Sequence, residues 1–330
     1  MTSAVIETVA APDRATTETT LRPRFEGTNI CTWIGFKHVN YLVEEAVLDW
    51  LRQNGWPSRR LFEEAGVGVD LVGITTRILH ALHIDDEVRF AVTVAVGDSG
   101  LTAKVAGKVD RDGHEVKAVT STVTVQLRAE DRHGDGVDDV PAFLRPAVVA
   151  RLEPTVPVPP NVPADALGDT LVTGRGGVST AVDPRLRSGD RPAVVWSWRI
   201  PYFYCHHTVR MQMSGFLRQM EEVVDLFLEE RGASIRTLLD EQNWIPVVPS
   251  STIELTGEAL MEEELVTVFE VVHDFKGVTY TSSMTCYVER DGELVPVAVG
   301  EITHGYAVID DRRDWSLVDF DERLLTAVRG

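Results

Sequence analysis

The sequence predicts an α+β chain made of two copies of one unit, each a long helix wrapped by an antiparallel β-sheet. Short motifs recur in the same order at a near-constant offset. Each recurrence sits in the same helix-then-strands pattern, and a proline-rich stretch divides the copies.

Glu44-Glu45 returns as Glu221-Glu222, Gly55 as Gly232, and "DDEV" from Asp85 as "EEEL" from Glu262, all at one common offset along the chain. "VDRDG" from Val109 returns as "VERDG" from Val288, at a slightly longer offset. Such collinear matches are hard to obtain by chance, and a small insertion before the last explains the drift.

Each unit reads the same way. A strand-like lead-in (22–31; 194–205) precedes a helix with apolar residues at three- and four-residue spacing. These are Val43, Ala46, Val47, Trp50 and Leu51 in the first, and Phe216, Met220, Val223, Val224 and Phe227 in the second. Short helical stretches follow, "RRLFEEAG" and "SIRTLLDEQ". Period-two alternation then marks strands, with Val88, Phe90, Val92, Val94 and Val96 on one and Val119, Val123, Val125 and Leu127 on another. "DRDG" and "ERDG" supply hairpin turns. Seven of the 16 prolines fall between 154 and 192, followed by "TGRGG", so this stretch reads as a linker crossing to the far edge of the partner unit. The expected organisation is a disordered tail (1–21), a first domain (22–145), a Pro/Gly-rich linker (146–193), a second domain (194–318) and a C-terminal segment (319–330).

With 32 basic and 51 acidic residues the net charge is −19, which argues against nucleic acid as a partner because phosphate binding needs a basic face. No apolar run approaches membrane-spanning length, and the start of the chain lacks a signal-peptide pattern, so the reading is cytoplasmic with no membrane partner. Cys31, Cys205 and Cys286 form no Cys-x-x-Cys pair, and the histidines lack ligand spacing with paired cysteines. Neither a disulfide framework nor a metal is expected, and no motif asks for a cofactor.

The junctions between lead-in and helix carry the chemistry. The first reads "CTWIGFKHVNYLVEEA", with Cys31, His38, Asn40 and Tyr41; the second reads "FYCHHTVRMQMSGFLRQMEE", with Cys205, His206 and His207. The first resembles the strand-to-helix junction of hotdog-fold thioesterases of the 4-hydroxybenzoyl-CoA thioesterase type, in which His-x-Asn-Tyr leads into the helix. His38, Asn40 and Tyr41 match that part. The family's acid, an Asp about seven residues before the His, falls at Cys31 here, and the corresponding place in the second junction falls at His206. Gly215 and Phe216 are expected where Asn40 and Tyr41 stand, with the helix-start His replaced near Met213. The resemblance implies a tandem, double hotdog with a cleft at each helix start, one with Cys31, His38, Asn40 and Tyr41, the other with Cys205, His206 and His207. The chain would be a monomer with an internal pseudo-dimer, or a dimer of double hotdogs. It further implies hydrolysis of an acyl thioester on coenzyme A or an acyl carrier protein. The alternatives are dehydratase or hydratase chemistry on the same thioesters, against which the absent Asp-x-Asn-x-x-His counts, and a non-catalytic acyl-binding protein.

The residue types suit hydrolysis. A helix start points unpaired N–H groups at a carbonyl oxygen. Histidine takes a proton from water near neutral pH, which makes His38, His206 and His207 the catalytic candidates. Cys31, Asn40, Tyr41, Glu45 and Cys205 are the substrate-binding candidates. A carboxylate base, Glu44 or Glu45, facing the cleft between the units is the other route, since burial would raise its pKa. A Cys–His nucleophile is a further reading of Cys31 and Cys205, beside simple burial of small apolar groups. His80 and His83 read as opposite faces of a strand, and "TGRGG" as a flexible loop.

Overall fold

The structure, a computed structural model, describes residues 12, 15–97, 100–130, 139–169, 171–311 and 315–330. The first unit holds β1 (Thr16–Leu21), α1 (Phe36–Gln53), α2 (Ser58–Ala65), β2 (Val67–Ile78), β3 (Val88–Gly97), β4 (Gly100–Arg111) and β5 (His114–Ala129). The linker adds β6 (Val148–Val149) and β7 (Val162–Pro163). The second unit holds β8 (Ala193–Arg199), α3 (Met213–Glu230), α4 (Ile235–Gln242), β9 (Trp244–Leu255), β10 (Glu264–Phe275), β11 (Thr279–Arg290), β12 (Glu293–Ile309), β13 (Trp315–Leu317) and α5 (Glu322–Arg329).

The repeat is strict through the helices. α1 to α3, α2 to α4 and β2 to β9 share one displacement, the offset of the Glu-Glu pairs; β4 to β11 and β5 to β12 share the longer one of the "DRDG" turns. A register shift between Val271 and His273 in β10 falls where the offset changes. Val39, Val43, Ala46 and Trp50 form the buried stripe of α1, and Phe216, Met220, Val223 and Phe227 form that of α3 at the same positions. Each stripe faces a curved sheet and joins one continuous apolar core. Burying one such large side chain is worth about 1.5–3 kcal/mol, so each stripe suffices to fix its helix on the sheet. The hairpins after β4 and β11 turn through Asp112-Gly113 and Asp291-Gly292, all at positive φ, as a two-residue turn matching strand twist demands.

The two sheets merge into one, in the order β1-β3-β4-β5-β2-β9-β12-β11-β10-β8. The seam is the antiparallel β2–β9 pair, with Thr75 opposite Thr252. These two residues are repeat equivalents, so the pseudo-twofold axis passes between them, where their hydroxyls lie 3.3 Å apart. The linker ends at β8, the far edge of the joined sheet. Val162, Ala166, Val182 and Leu186 from it cover the outer face of β10 and β12 around Val266, Val268 and Leu294.

Four local readings differ from the sequence expectation. The lead-in at 22–31, read as strand-like, holds a single 3-10 turn at Phe25–Gly27 instead of a strand. Thr16–Leu21, assigned to the tail, pairs with β3 as an edge strand; residues 1–11, 13 and 14 of that tail lie outside the described residues. His80 and His83 follow β2 in a loop rather than lying on a strand. The unbroken offset through α1 and α3 sets Gly215 at the place of His38, Leu217 at that of Asn40 and Arg218 at that of Tyr41. A continuous helix cannot absorb the slip that Gly215 and Phe216 opposite Asn40 and Tyr41 would need.

Candidate active site

Two clefts lie between the units, each built from the start of one helix and the middle of the other. The larger, about 1070 Å³, takes Gly35 and Phe36 at the start of α1 and Glu221, Glu222 and Asp225 from α3. The smaller, about 500 Å³, takes Ser214 at the start of α3 and His38, Tyr41, Glu44 and Glu45 from α1, closed by Tyr204, His206 and Arg218.

Their carboxylates differ in surroundings. In the larger cleft Lys37 pairs with Glu221, and Arg175 with Glu222 at 2.7 Å. The residues at the Lys37 and Glu221 positions of the other unit are Ser214 and Glu44. The half-buried Glu44 side chain makes no ion pair or hydrogen bond among the described residues. Its carboxyl is pushed up to about 7, chiefly by burial and then by the adjacent Glu45. Glu45 is exposed and engages Arg52 at 3.2 Å.

The rest of the smaller cleft is polar and held from both units. His206 Nε2 lies 2.8 Å from Ser214 Oγ, in hydrogen-bonding contact. The Tyr41 hydroxyl donates to the Ser214 carbonyl oxygen at 3.1 Å, tying α1 to the start of α3. The Arg218 guanidinium sits 5.7 Å from the Tyr41 ring centre and 5.8 Å from that of Tyr204. His38 meets Tyr41 edge-on at 5.0 Å and reaches Glu26 at 3.4 Å. Burial, followed by Lys37, lowers the pKa of His38 against the opposing pull of Glu26. Burial, then His207 and Arg218, lowers that of His206. Both shifts favour the neutral imidazole, although His206 remains exposed at the surface. At the start of α3 the Gly215 and Phe216 N–H groups donate to the Gln212 carbonyl at 2.8 and 3.4 Å, which leaves those of Met213 and Ser214 without a backbone partner among the described residues, and the helix start favours negative charge.

No protein-family model matches the sequence, and no curated protein matches it. Solved structures do match in shape. A provisionally assigned oleoyl thioesterase of Lactobacillus plantarum superposes with a TM-score of 0.57 at 11% identity, covering 89% of this chain and 97% of its own. A 12:0-ACP thioesterase of Umbellularia californica gives 0.54 at 11% identity, covering 92% and 98%. An acyl-ACP thioesterase of Bacteroides thetaiotaomicron gives 0.50 at 10% identity, covering 89% and 100%. This chain shares their fold. It is a double hotdog.

Within the double hotdog the predicted residues scatter. His38, Tyr41, Glu45 and His206 line one cleft, although the junction reading divided His38 and His206 between two. The reason is the pairing: the third residue of α1 faces the start of α3, not its own helix start. Asn40 is fully buried toward the sheet, accepting from Thr76 at 2.6 Å and donating to Ser251 at 3.4 Å. His207 packs edge-on against Phe62 at 5.0 Å and lines neither cleft. Cys205 is buried, its thiol pushed up to about 11 by that burial, so it stays protonated at neutral pH. Cys31 packs at the edge of the Trp33 cluster. His80 and His83 both line the larger cleft. Arg175 of "TGRGG" lines it too, on a loop tied to β8 by the Gly174 N–H donating to Ser197 O at 2.8 Å.

No local motif marks Ser214, Arg218 or Tyr204 as site residues. The offset of the Glu-Glu pairs, applied to the junction itself, would have set Ser214 opposite Lys37 and Arg218 opposite Tyr41. Among the described residues no cluster of three or more His, Cys, Asp or Glu could hold a metal, and no helix is long and apolar enough to cross a membrane.

Proposed function

We propose that the double hotdog hydrolyses an acyl thioester, carried by coenzyme A or an acyl carrier protein, in the smaller cleft. The observation that carries this reading is Glu44: a carboxyl without a cationic partner, tuned to about 7, in one cleft with the start of α3. A base whose pKa lies near the working pH combines the right protonation state with proton-transfer power. The thioester oxygen would lie on the α3 N–H groups, whose partial positive charge meets the oxyanion as it forms. Glu44 takes a proton from water, the oxygen of that water becomes bonded to the acyl carbon, and the carbon–sulfur bond breaks. The proton passes to the departing thiolate. Arg218 adds a fixed positive charge beside the developing anion.

His38 and His206 contribute imidazoles to the wall, each shifted toward its neutral form. His38 positions Tyr41, which fixes the α3 start through Ser214. His207, packed away on Phe62, takes no part in this scheme, and Asn40 and Cys205 serve the interior. The shape-matched proteins are described as an oleoyl thioesterase and acyl-ACP thioesterases, which suits an acyl chain as the substrate. Internal pairing through β2 and β9 supplies the two-unit cleft within one chain, so a monomer or a dimer of double units suffices. Three free cysteines suit the reducing cytoplasm.

A panel of acyl-CoA and acyl-carrier thioesters read by mass spectrometry tests the function. Free acid is the expected product. A dehydrated or hydrated thioester would replace the reading with lyase chemistry, and unchanged thioester throughout the panel would reject catalysis.

A further inference from the structure

We propose that Ser214 and His206 are a nucleophile–base pair, so that the acyl group passes through Ser214 Oγ before water removes it. This rests on the hydrolytic reading of the smaller cleft and specifies its route.

The geometry has four parts. Ser214 Oγ and His206 Nε2 are already in hydrogen-bonding contact at 2.8 Å, the reach a base needs to take a hydroxyl proton. Ser214 is the second residue of the 18-residue α3, so an attack by its Oγ forms the oxyanion at the helix start, where the Met213 and Ser214 N–H groups have no backbone partner among the described residues. The pair is held from outside: Tyr41 of the other unit fixes the Ser214 carbonyl. His206 takes a left-handed backbone, φ 49, in a turn closed by the Thr208 N–H donating to Cys205 O at 3.0 Å, which fixes where its side chain leaves the chain. The equivalent residues of the other cleft are Lys37 and Asn29, which form no such pair.

The steps balance. Ser214 Oγ attacks the acyl carbon as His206 Nε2 takes the hydroxyl proton. The tetrahedral intermediate collapses, the carbon–sulfur bond breaks, and the imidazolium returns the proton to the thiolate. Free thiol leaves and an acyl-serine ester remains. Glu44 then takes a proton from water, and the oxygen of that water bonds to the acyl carbon. The carbon–Oγ bond breaks, and the Glu44 carboxyl returns the proton to Ser214. A lowered His206 pKa keeps its lone pair free for the first step at neutral pH.

The test uses the full chain with octanoyl-CoA and benzoyl-CoA as probes, in the parent and in Glu44→Gln and Ser214→Ala. The expected result is one acyl group per chain in Glu44→Gln, located on the peptide that contains Ser214. Ser214→Ala, shown folded by circular dichroism, should form no adduct and lose turnover by about 10²-fold or more. Parent turnover with no adduct in Glu44→Gln, and Ser214→Ala within about threefold of the parent, would overturn the covalent route and leave hydrolysis standing. An adduct on another residue would likewise overturn it. A parent that neither turns over nor acylates with either probe would overturn both.

Discussion

Before α1, Trp33 joins Val247 and Ile309 of the second unit in an apolar cluster. At the equivalent place before α3, Arg210 binds Asp70 at 2.7 Å and Glu130 at 2.6 Å. Arg210, Asp70 and Glu130 occupy the repeat positions of Trp33, Val247 and Ile309, so one contact between the units is oily on one side and ionic on the other. The helix starts are exchanged in the same manner. Gly27 leaves room for His38, since a Cβ there would come within 2.8 Å of that ring, whereas Gly215 leaves room for Tyr204. Under α1, Asn40, Thr76 and Ser121 form a hydrogen-bonded set; the equivalents under α3 are Leu217, Ile253 and Gly300. The duplicated scaffold thus kept its backbone and exchanged its contents. In the larger cleft Lys37 occupies Glu221, and in the smaller the same positions hold Ser214 and an unpaired Glu44. The cleft with no ion pair at these positions is the one in which we place proton transfer.

The comparison can be broken most strongly at the ionic contact. Arg210→Ala strands the buried Asp70 and near-buried Glu130 charges and should cost about 3–5 kcal/mol in denaturant unfolding. Copying the oily version, with Arg210→Trp, Asp70→Val and Glu130→Ile together, should recover most of that loss. A triple variant no more stable than Arg210→Ala would show that the two sides are not interchangeable.

A smaller effect, on activity, is expected at the imidazoles. His206→Ala should lower turnover by on the order of 10²-fold. His38→Ala, which disturbs Tyr41 rather than the reacting atoms, should cost less. The reverse order would make His38 the base and Tyr41 its partner.

The pH dependence follows from Glu44. Turnover should rise with pH through about 7 as the base ionises, and the neutral form below that should be inactive. Stability should run the opposite way. A carboxyl whose pKa is raised in the folded state binds more protons there than when unfolded, so its contribution falls as pH climbs from about 4.5 toward 7. Glu44→Gln should therefore lack turnover yet unfold later than the parent at pH 8. An unfolding midpoint unchanged at that pH would mean the carboxyl is not desolvated.

The smallest effect belongs to the polar set under α1. Asn40→Leu, copying the other unit, should cost about 1 kcal/mol, because Thr76 keeps its bond to Ser121. A loss of turnover without loss of stability would return Asn40 to the site.

Much of the fold was legible because it depends on local patterns. The stripe from Val43 to Trp50, the Asp-Gly hairpins and the motifs that recur between the units each lie within a short window. What could not be read was which cleft each side chain faces. Successive helical residues are about 100° apart, so His38 and Asn40 face a cleft and a sheet respectively. The helices also pack on each other, which sets the start of one against residues further along the other. That partnership joins His38 to His206 from opposite halves of the chain, and no spacing along the sequence encodes it.

The division of labour between the clefts is tested most directly by Glu44→Gln beside Glu221→Gln, the same substitution at equivalent positions, assayed on whichever thioester the parent hydrolyses. Turnover should fall by on the order of 10²-fold or more in Glu44→Gln and by no more than a few-fold in Glu221→Gln. A folded Glu44→Gln protein with parental turnover, or a greater loss in Glu221→Gln, would move the chemistry to the larger cleft.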